Sequence, residues 1–245
     1  MAYAEFSRFY DSLMKNADYE KRADYYEKLL KRNGVSGGIL LDLGCGTGEI
    51  SSLMAQKGFS VIGVDVSVDM LMAAREKAAL KGQDILFLNQ DMTALDLYGT
   101  VNATVSVMDC INHLSCFEDV KKTFAAVSLF TEPGGVFAFD VNTVYKHRFV
   151  LADNTFVYDN DDVYCVWQNS ANEDDSVDVY LDFFEKSGDK YVRTGENFTE
   201  RAYPLEMISA ALDESGFEVT GIYDDMTFEN AGEESEKAVF TARKR

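Results

Sequence analysis

Basic residues are scarce in this chain. Its 245 residues carry 23 Lys and Arg against 42 Asp and Glu, a formal net charge of −19. Such a surface repels phosphate backbones, so no nucleic-acid partner is expected. It favours neutral or cationic partners only weakly, because most of those carboxylates are solvated surface. Long apolar runs are missing too, and no window of about 18 apolar residues is present to span a membrane. The stretch MAYAEFSRFYDSLMKNADYEKR has neither the basic region nor the apolar segment of a secretion signal. Only four cysteines occur (Cys45, Cys110, Cys116 and Cys165), and none forms a CxxC pair. That argues against a disulfide framework or a zinc site, and for a reducing, cytoplasmic setting.

What the chain does have is alternation. From Ile39 onward the strand-like runs GILLDLG, SVIGVDV, ILFLNQD, ATVSVMD and GVFAFDV are separated by the amphipathic stretches EISSLMAQKG, VDMLMAAREKAALKG and FEDVKKTFAAVSLFT. Near-continuous apolar strands spaced by helices predict an α/β, doubly wound (Rossmann-like) sheet covered on both faces. Ahead of it, Tyr25 with Leu29 and Tyr26 with Leu30 fall at helical spacing and predict a helical cap over 1–35. After Asp140 the period changes. VYCVWQNS, SVDVYLDFFE and KYVRTGENFTE alternate with period two between turn signals, which predicts three antiparallel strands inserted over 151–200. Trp167 and Phe183 are expected in the core of this insertion. PLEMISAALDESG reads as a helix with Pro204 in its first turn, and FEVTGIYD and KAVFTARKR as closing strands. The cofactor-binding domain would comprise 36–150 and 201–245, with the insertion as a lid over the crevice at the strand ends.

The stretch LLDLGCGTGEI, residues 40–50, defines the chemistry of that crevice. A strand that ends in glycines and opens into a helix presents backbone N–H groups to an anionic or zwitterionic ligand. The dinucleotide fingerprint is GxGxxG, whereas Gly44, Gly46 and Gly48 are spaced GxGxG, and Glu49 stands where the third dinucleotide glycine would fall. A glutamate in the first helical turn also repels a pyrophosphate. S-adenosylmethionine carries no phosphate, and Asp42 could take its ammonium end. Asp65 closes the second strand, where an acid hydrogen-bonds ribose hydroxyls in either cofactor class. Asp91 and the backbone of Met92 end the third, in reach of an adenine edge. The three acids form a line along the crevice.

Taken in order and spacing, LLDLGCGTGEI, VIGVDVSVDML, FLNQDMTAL, VSVMDCINHL and PGGVFAFDVN resemble the motifs of class I S-adenosylmethionine-dependent methyltransferases. That resemblance implies a seven-stranded sheet whose last strand runs antiparallel. It implies S-adenosyl-L-methionine as cofactor, held also by Tyr19, Val66, Met70 and Met108. The inserted strands and the N-terminal FYDSLM…DYEKRADYYEKL stretch look more narrowly like small bacterial methyltransferases related to amino-sugar N-methyltransferases. In that group a histidine after the fourth strand faces the substrate and an N-terminal tyrosine closes over the site. His113 and Tyr10 match those places and are the catalytic candidates. Asp140 and Asn142, at the end of the fifth strand, are the substrate candidates. His147, in the charged run VYKHR, reads as surface, and Cys110 as packing.

These features predict methyl transfer to a small molecule, N-methylation of an amine by in-line displacement, with no metal. Two alternatives stand beside it: an NAD(P)-dependent oxidoreductase on a Rossmann fold, and a non-catalytic S-adenosylmethionine-binding module. The GxGxG spacing and the lack of any Tyr-x-x-x-Lys pair count against the first. The chain also lacks a Pro-Cys pair for cytosine chemistry and an NPPY-like run for exocyclic base amines. Nothing in the sequence fixes the oligomeric state.

Overall fold

Strands and helices alternate through the residues that the computed structural model describes, 18–159 and 163–245. Helix α1 (Tyr19–Arg32) precedes β1 (Gly38–Leu43), α2 (Glu49–Gln56), β2 (Phe59–Asp65), α3 (Val68–Leu80), β3 (Leu86–Asn89) and β4 (Val101–Ser106). Then come α4 (Phe117–Phe130) and β5 (Thr131–Asn142). After four inserted strands the chain closes with α5 (Leu205–Glu214), β10 (Phe217–Asp224) and β11 (Lys237–Lys244). The seven-stranded sheet has the order β10-β11-β5-β4-β1-β2-β3, with β11 antiparallel to both of its neighbours and the other pairs parallel. The expected doubly wound seven-stranded sheet, with the chain's last strand antiparallel, is the observed one. Among the described residues no helix is long and apolar enough to cross a membrane.

Strand β5 shows why both faces are apolar. Its alternate residues Phe137, Phe139 and Val141 enter one core with α4 and α5, while Val136 and Ala138 enter the other with α1 and α2. Two-residue periodicity thus feeds two cores from one strand. Phe139 and Phe240, neighbours in the β5–β11 register, stack with centroids 5.1 Å apart and planes 4° from parallel. In the second core Tyr26 and Leu30 of α1 are fully buried, as their helical spacing predicts.

The insertion is a four-stranded antiparallel sheet: β6 (Thr155–Asp159), β7 (Val163–Ala171), β8 (Ser176–Ser187) and β9 (Lys190–Arg201) in spatial order. The sequence predicts three strands, and β6 is the one it misses. TFVYD is exposed along most of its length, so it lacks the alternation that marks a half-buried strand. Val163, Cys165, Val177, Val179, Leu181 and Phe183 form a small core of this sheet, with Trp167 packed on it. Asn112 pins the insertion to the main sheet. Its Nδ2 donates to the carbonyls of Asn142 and Arg201, and its Oδ1 accepts from the Asn142 N–H.

Candidate active site

The glycine loop after β1 is built for close approach. Gly44, Gly46 and Gly48 all take the left-handed conformation, φ +76°, +51° and +77°, which costs glycine little and other residues more. Two of them are also sterically required. A Cβ on Gly44 would lie 2.7 Å from the Cys110 sulfur, and one on Gly48 would lie 3.0 Å from the Ala74 Cβ and 3.2 Å from the Phe87 ring. A Cβ on Gly46 would meet nothing within 4 Å. Glu49, in the first turn of α2, pairs with Lys77 at 3.0 Å and Lys81 at 3.6 Å, so this helix end already holds one carboxylate.

Asp65 closes the loop from the β2 end. It accepts from the N–H groups of Gly46 and Ser67, both at 2.8 Å. Burial raises its pKa, against those two bonds. Val66 beside it is exposed, and Met70, one turn into α3, is buried with its N–H donating to Ser67 Oγ. Asp42 is 2% exposed and accepts from Ser51 Oγ at 2.6 Å. Burial pushes its carboxyl up to about 7. Asp91 caps the short turn Met92–Ala94, accepting from the Thr93 N–H and hydroxyl, and stays exposed, with Met92 packed behind it. Tyr19 opens α1 and packs on the second core. Tyr10 lies outside the described residues.

After β4 the chain turns through two left-handed residues, Met108 (φ +70°) and Asp109 (φ +55°). Asp140 stabilises that turn and is not placed as a substrate contact. It is fully buried, and its oxygens accept from the Met108 and Asp109 N–H groups, the Tyr26 hydroxyl and the Lys237 ammonium. With every lone-pair direction engaged inside the protein, the carboxylate offers nothing to an acceptor. Asn142 is likewise buried. Its amide donates to Glu200 Oε2 at 3.0 Å and accepts from Lys146 Nζ at 2.9 Å. It supports the site from behind.

The residues it supports come from four parts of the chain. Asp109 and His113 flank the turn after β4; Glu200 ends β9; Lys146 and His147 begin a short helical turn after β5; Lys237 opens β11. The Lys237 ammonium is bonded to Asp109. Burial by itself would raise the Asp109 pKa, but Lys237 and then Lys146 outweigh it and hold the carboxyl far below its ordinary value. Burial and the neighbouring Lys237 lower the Lys146 pKa. His113, whose ring meets Phe198 at 5.0 Å, brings Nε2 to 3.9 Å from Glu200 Oε1. His147 is a correction to the sequence reading. It is 1% exposed, because its helical turn packs on the inserted sheet, where its Nδ1–H donates to the Asp175 carbonyl at 2.8 Å. Burial keeps its pKa below the usual imidazole value.

Glu200, Lys146 and Lys237 are residues of this candidate pocket that sequence reasoning did not single out. Glu200 sits in a strand where alternate residues face the interior, and a carboxylate in that phase is the one signal available. Lys237 and Asp109 are 128 positions apart, and the β11–β5 and β5–β4 pairings bring them together.

A strand-end crevice with a GxGxG loop, an acid at each of three strand ends and a polar pocket under an inserted sheet defines a Rossmann-like, phosphate-free cofactor site. Residues 40–135 match the methyltransferase domain family. The chain is 36% identical over 246 residues to the Bacillus subtilis (strain 168) protein YqeM, which carries a methyltransferase name, covering all of this chain and 98% of that protein. It also resembles the crystal structure of an S-adenosylmethionine-dependent methyltransferase from Clostridium acetobutylicum ATCC 824, at TM-score 0.90 and 31% identity over 99% of this chain and 98% of that one. The protein belongs to the S-adenosylmethionine-dependent methyltransferases, and S-adenosylmethionine is its cofactor. The sugar N-methyltransferase KedS8 of Streptoalloteichus sp. ATCC 53650 shares the fold at TM-score 0.80 and 18% identity, over all of this chain and 93% of that one.

Proposed function

We propose that the protein methylates a nitrogen of a small-molecule amine seated between the glycine loop and the His113–Glu200 pair. The observation that carries this reading is the pocket's composition: an imidazole flanked by two carboxylates, His113 with Asp109 and Glu200, at the end of the sheet where the cofactor loop lies. Carboxylates attract an ammonium. An amine must then shed a proton before its lone pair can attack, and an imidazole lone pair within reach acts as the general base that accepts it. S-adenosylmethionine, when bound, supplies a methyl group already activated by its sulfonium. The protein therefore has to hold the acceptor in line and exclude water.

In this reading Gly44, Gly46 and Gly48 carry the methionine end, with Asp42 toward its ammonium and Asp65 toward the ribose. Asp91 and Met92 flank the adenine, and Val66, Met70, Met108 and Tyr19 line the same cofactor site. Support for nitrogen as the acceptor atom also comes from the shared fold of KedS8, whose name specifies sugar N-methylation. The test is turnover of His113→Gln on an amine that the wild type methylates. Loss of about 10²- to 10⁴-fold in kcat, with S-adenosylhomocysteine binding retained, is expected. An unchanged rate removes the base role, and transfer to hydroxyls alone removes the nitrogen assignment.

A further inference from the structure

The same pocket holds a second arrangement that methyl transfer does not require. Asp109, His113 and Glu200 each bring a donor atom within 4.8 Å of the other two. Glu200 is 3% exposed, with Oε1 3.9 Å from His113 Nε2 and Oε2 3.7 Å from His147 Nε2. Those separations are too long for hydrogen bonds. They approach the roughly 3.4 Å between two ligands that each lie about 2.1 Å from one tetrahedral ion.

His147 provides the independent observation. With Nδ1–H fixed on the Asp175 carbonyl, Nε2 carries the lone pair. That atom is buried, faces the Glu200 carboxylate and has no hydrogen-bond partner among the described residues. A lone pair aimed at a carboxylate is repelled unless a cation lies between them. Fixing the far ring nitrogen on a backbone carbonyl is also how proteins orient a histidine toward a metal.

We propose that Asp109, His113 and Glu200 bind a divalent transition-metal ion of the zinc class, with His147 supplying a further lone pair from the buried side. Two imidazoles select such an ion over Mg²⁺ or Ca²⁺, which prefer oxygen ligands throughout. The local charge permits it: Asp109, Asp140 and Glu200 outnumber Lys146 and Lys237 by one, and Lys237 engages one Asp109 oxygen, leaving the other. An imidazole that ligates an ion has no lone pair for a proton, so the ion and the base role of His113 exclude one another. That consequence rests on the function proposed above; ion binding itself does not.

The experiment is calorimetric titration of the chelator-treated full chain with Zn²⁺ and, separately, Mg²⁺, alongside Glu200→Gln, His147→Gln and Cys116→Ser proteins. S-adenosylhomocysteine-induced thermal stabilisation serves as the check that each variant is folded. One Zn²⁺ per chain is expected, weakened about tenfold or more by Glu200→Gln and by His147→Gln, unchanged by Cys116→Ser, with no Mg²⁺ binding. Should Glu200→Gln fail to fold, His113→Gln, whose side chain is partly exposed, makes the same test. Absence of Zn²⁺ binding, retention of full affinity in the pocket variants, or loss in Cys116→Ser would overturn the proposal. Because the readout is binding, any of those results leaves the methyl-transfer assay to decide the function separately.

Discussion

Asp42 gives the sharpest prediction, because its burial couples folding, cofactor binding and pH. Its carboxyl is raised from 3.8 to about 7, chiefly by desolvation and against the bond from Ser51. The native chain therefore keeps a proton that the unfolded chain releases between about pH 4 and pH 7. Stability falls across that window, and the full penalty is present above it. Three pKa units correspond to about 4 kcal/mol as an upper figure. Asp42→Asn retains an acceptor for the Ser51 hydroxyl and removes the ionisation. The unliganded variant should melt several degrees above wild type at pH 8, at about 2–4 °C per kcal/mol for a chain of this size, and the gap should close toward pH 4. Cofactor binding reverses the preference. If the carboxylate meets the ammonium end, S-adenosylhomocysteine should bind wild type about tenfold more weakly at pH 6 than at pH 8, following the ionised fraction. In Asp42→Asn it should bind weakly and without that slope. Calorimetric titration across this range, with melting curves of both unliganded proteins, measures both halves. A wild-type affinity flat with pH, or a slope that survives in Asp42→Asn, would refute the reasoning.

Three further outcomes are expected. Gly48→Ala should cost about 1–3 kcal/mol in urea unfolding, since it combines a left-handed backbone with contacts to Ala74 and Phe87 that have little room to yield. Phe139→Ala should lose about 3–5 kcal/mol by the same assay, because the ring is fully buried and stacked on Phe240. Asp140→Ala should lose about 3–5 kcal/mol, since it leaves the buried Tyr26 hydroxyl and two N–H groups of the turn after β4 without their acceptor; a near-neutral result would show that the turn holds without its hub.

The sheet and its glycine loop were legible because their determinants are local. Five apolar runs, the GxGxG turn and acids at fixed offsets from strand ends are all patterns within about 30 residues, the span of one βαβ unit. The period-two alternation around Phe183 was equally local, and it placed that ring in the insertion's core. The polar pocket was not legible. Glu200 meets Asn142 across 58 positions and Lys237 meets Asp109 across 128, and no periodicity encodes such pairings. His147 misled for the same reason: its neighbours Lys146 and Arg148 announce a surface, whereas the inserted sheet, formed later in the chain, covers the ring between them. Asp140 erred in the opposite direction. A strand-end acid next to the crevice reads as a substrate contact, yet the tight turn after β4 leaves two N–H groups facing inward, and this carboxylate satisfies them.

The central claim is methyl transfer to an amine, and isotope tracing tests it most directly. The purified protein is incubated with methyl-labelled S-adenosylmethionine and fractionated pools of small amines, small hydroxyl compounds, protein and nucleic acid. Label appearing as an N-methyl group in the small-amine pool, and lost in His113→Gln, is the predicted result. Label confined to O-methyl products or to a macromolecular fraction would contradict the account.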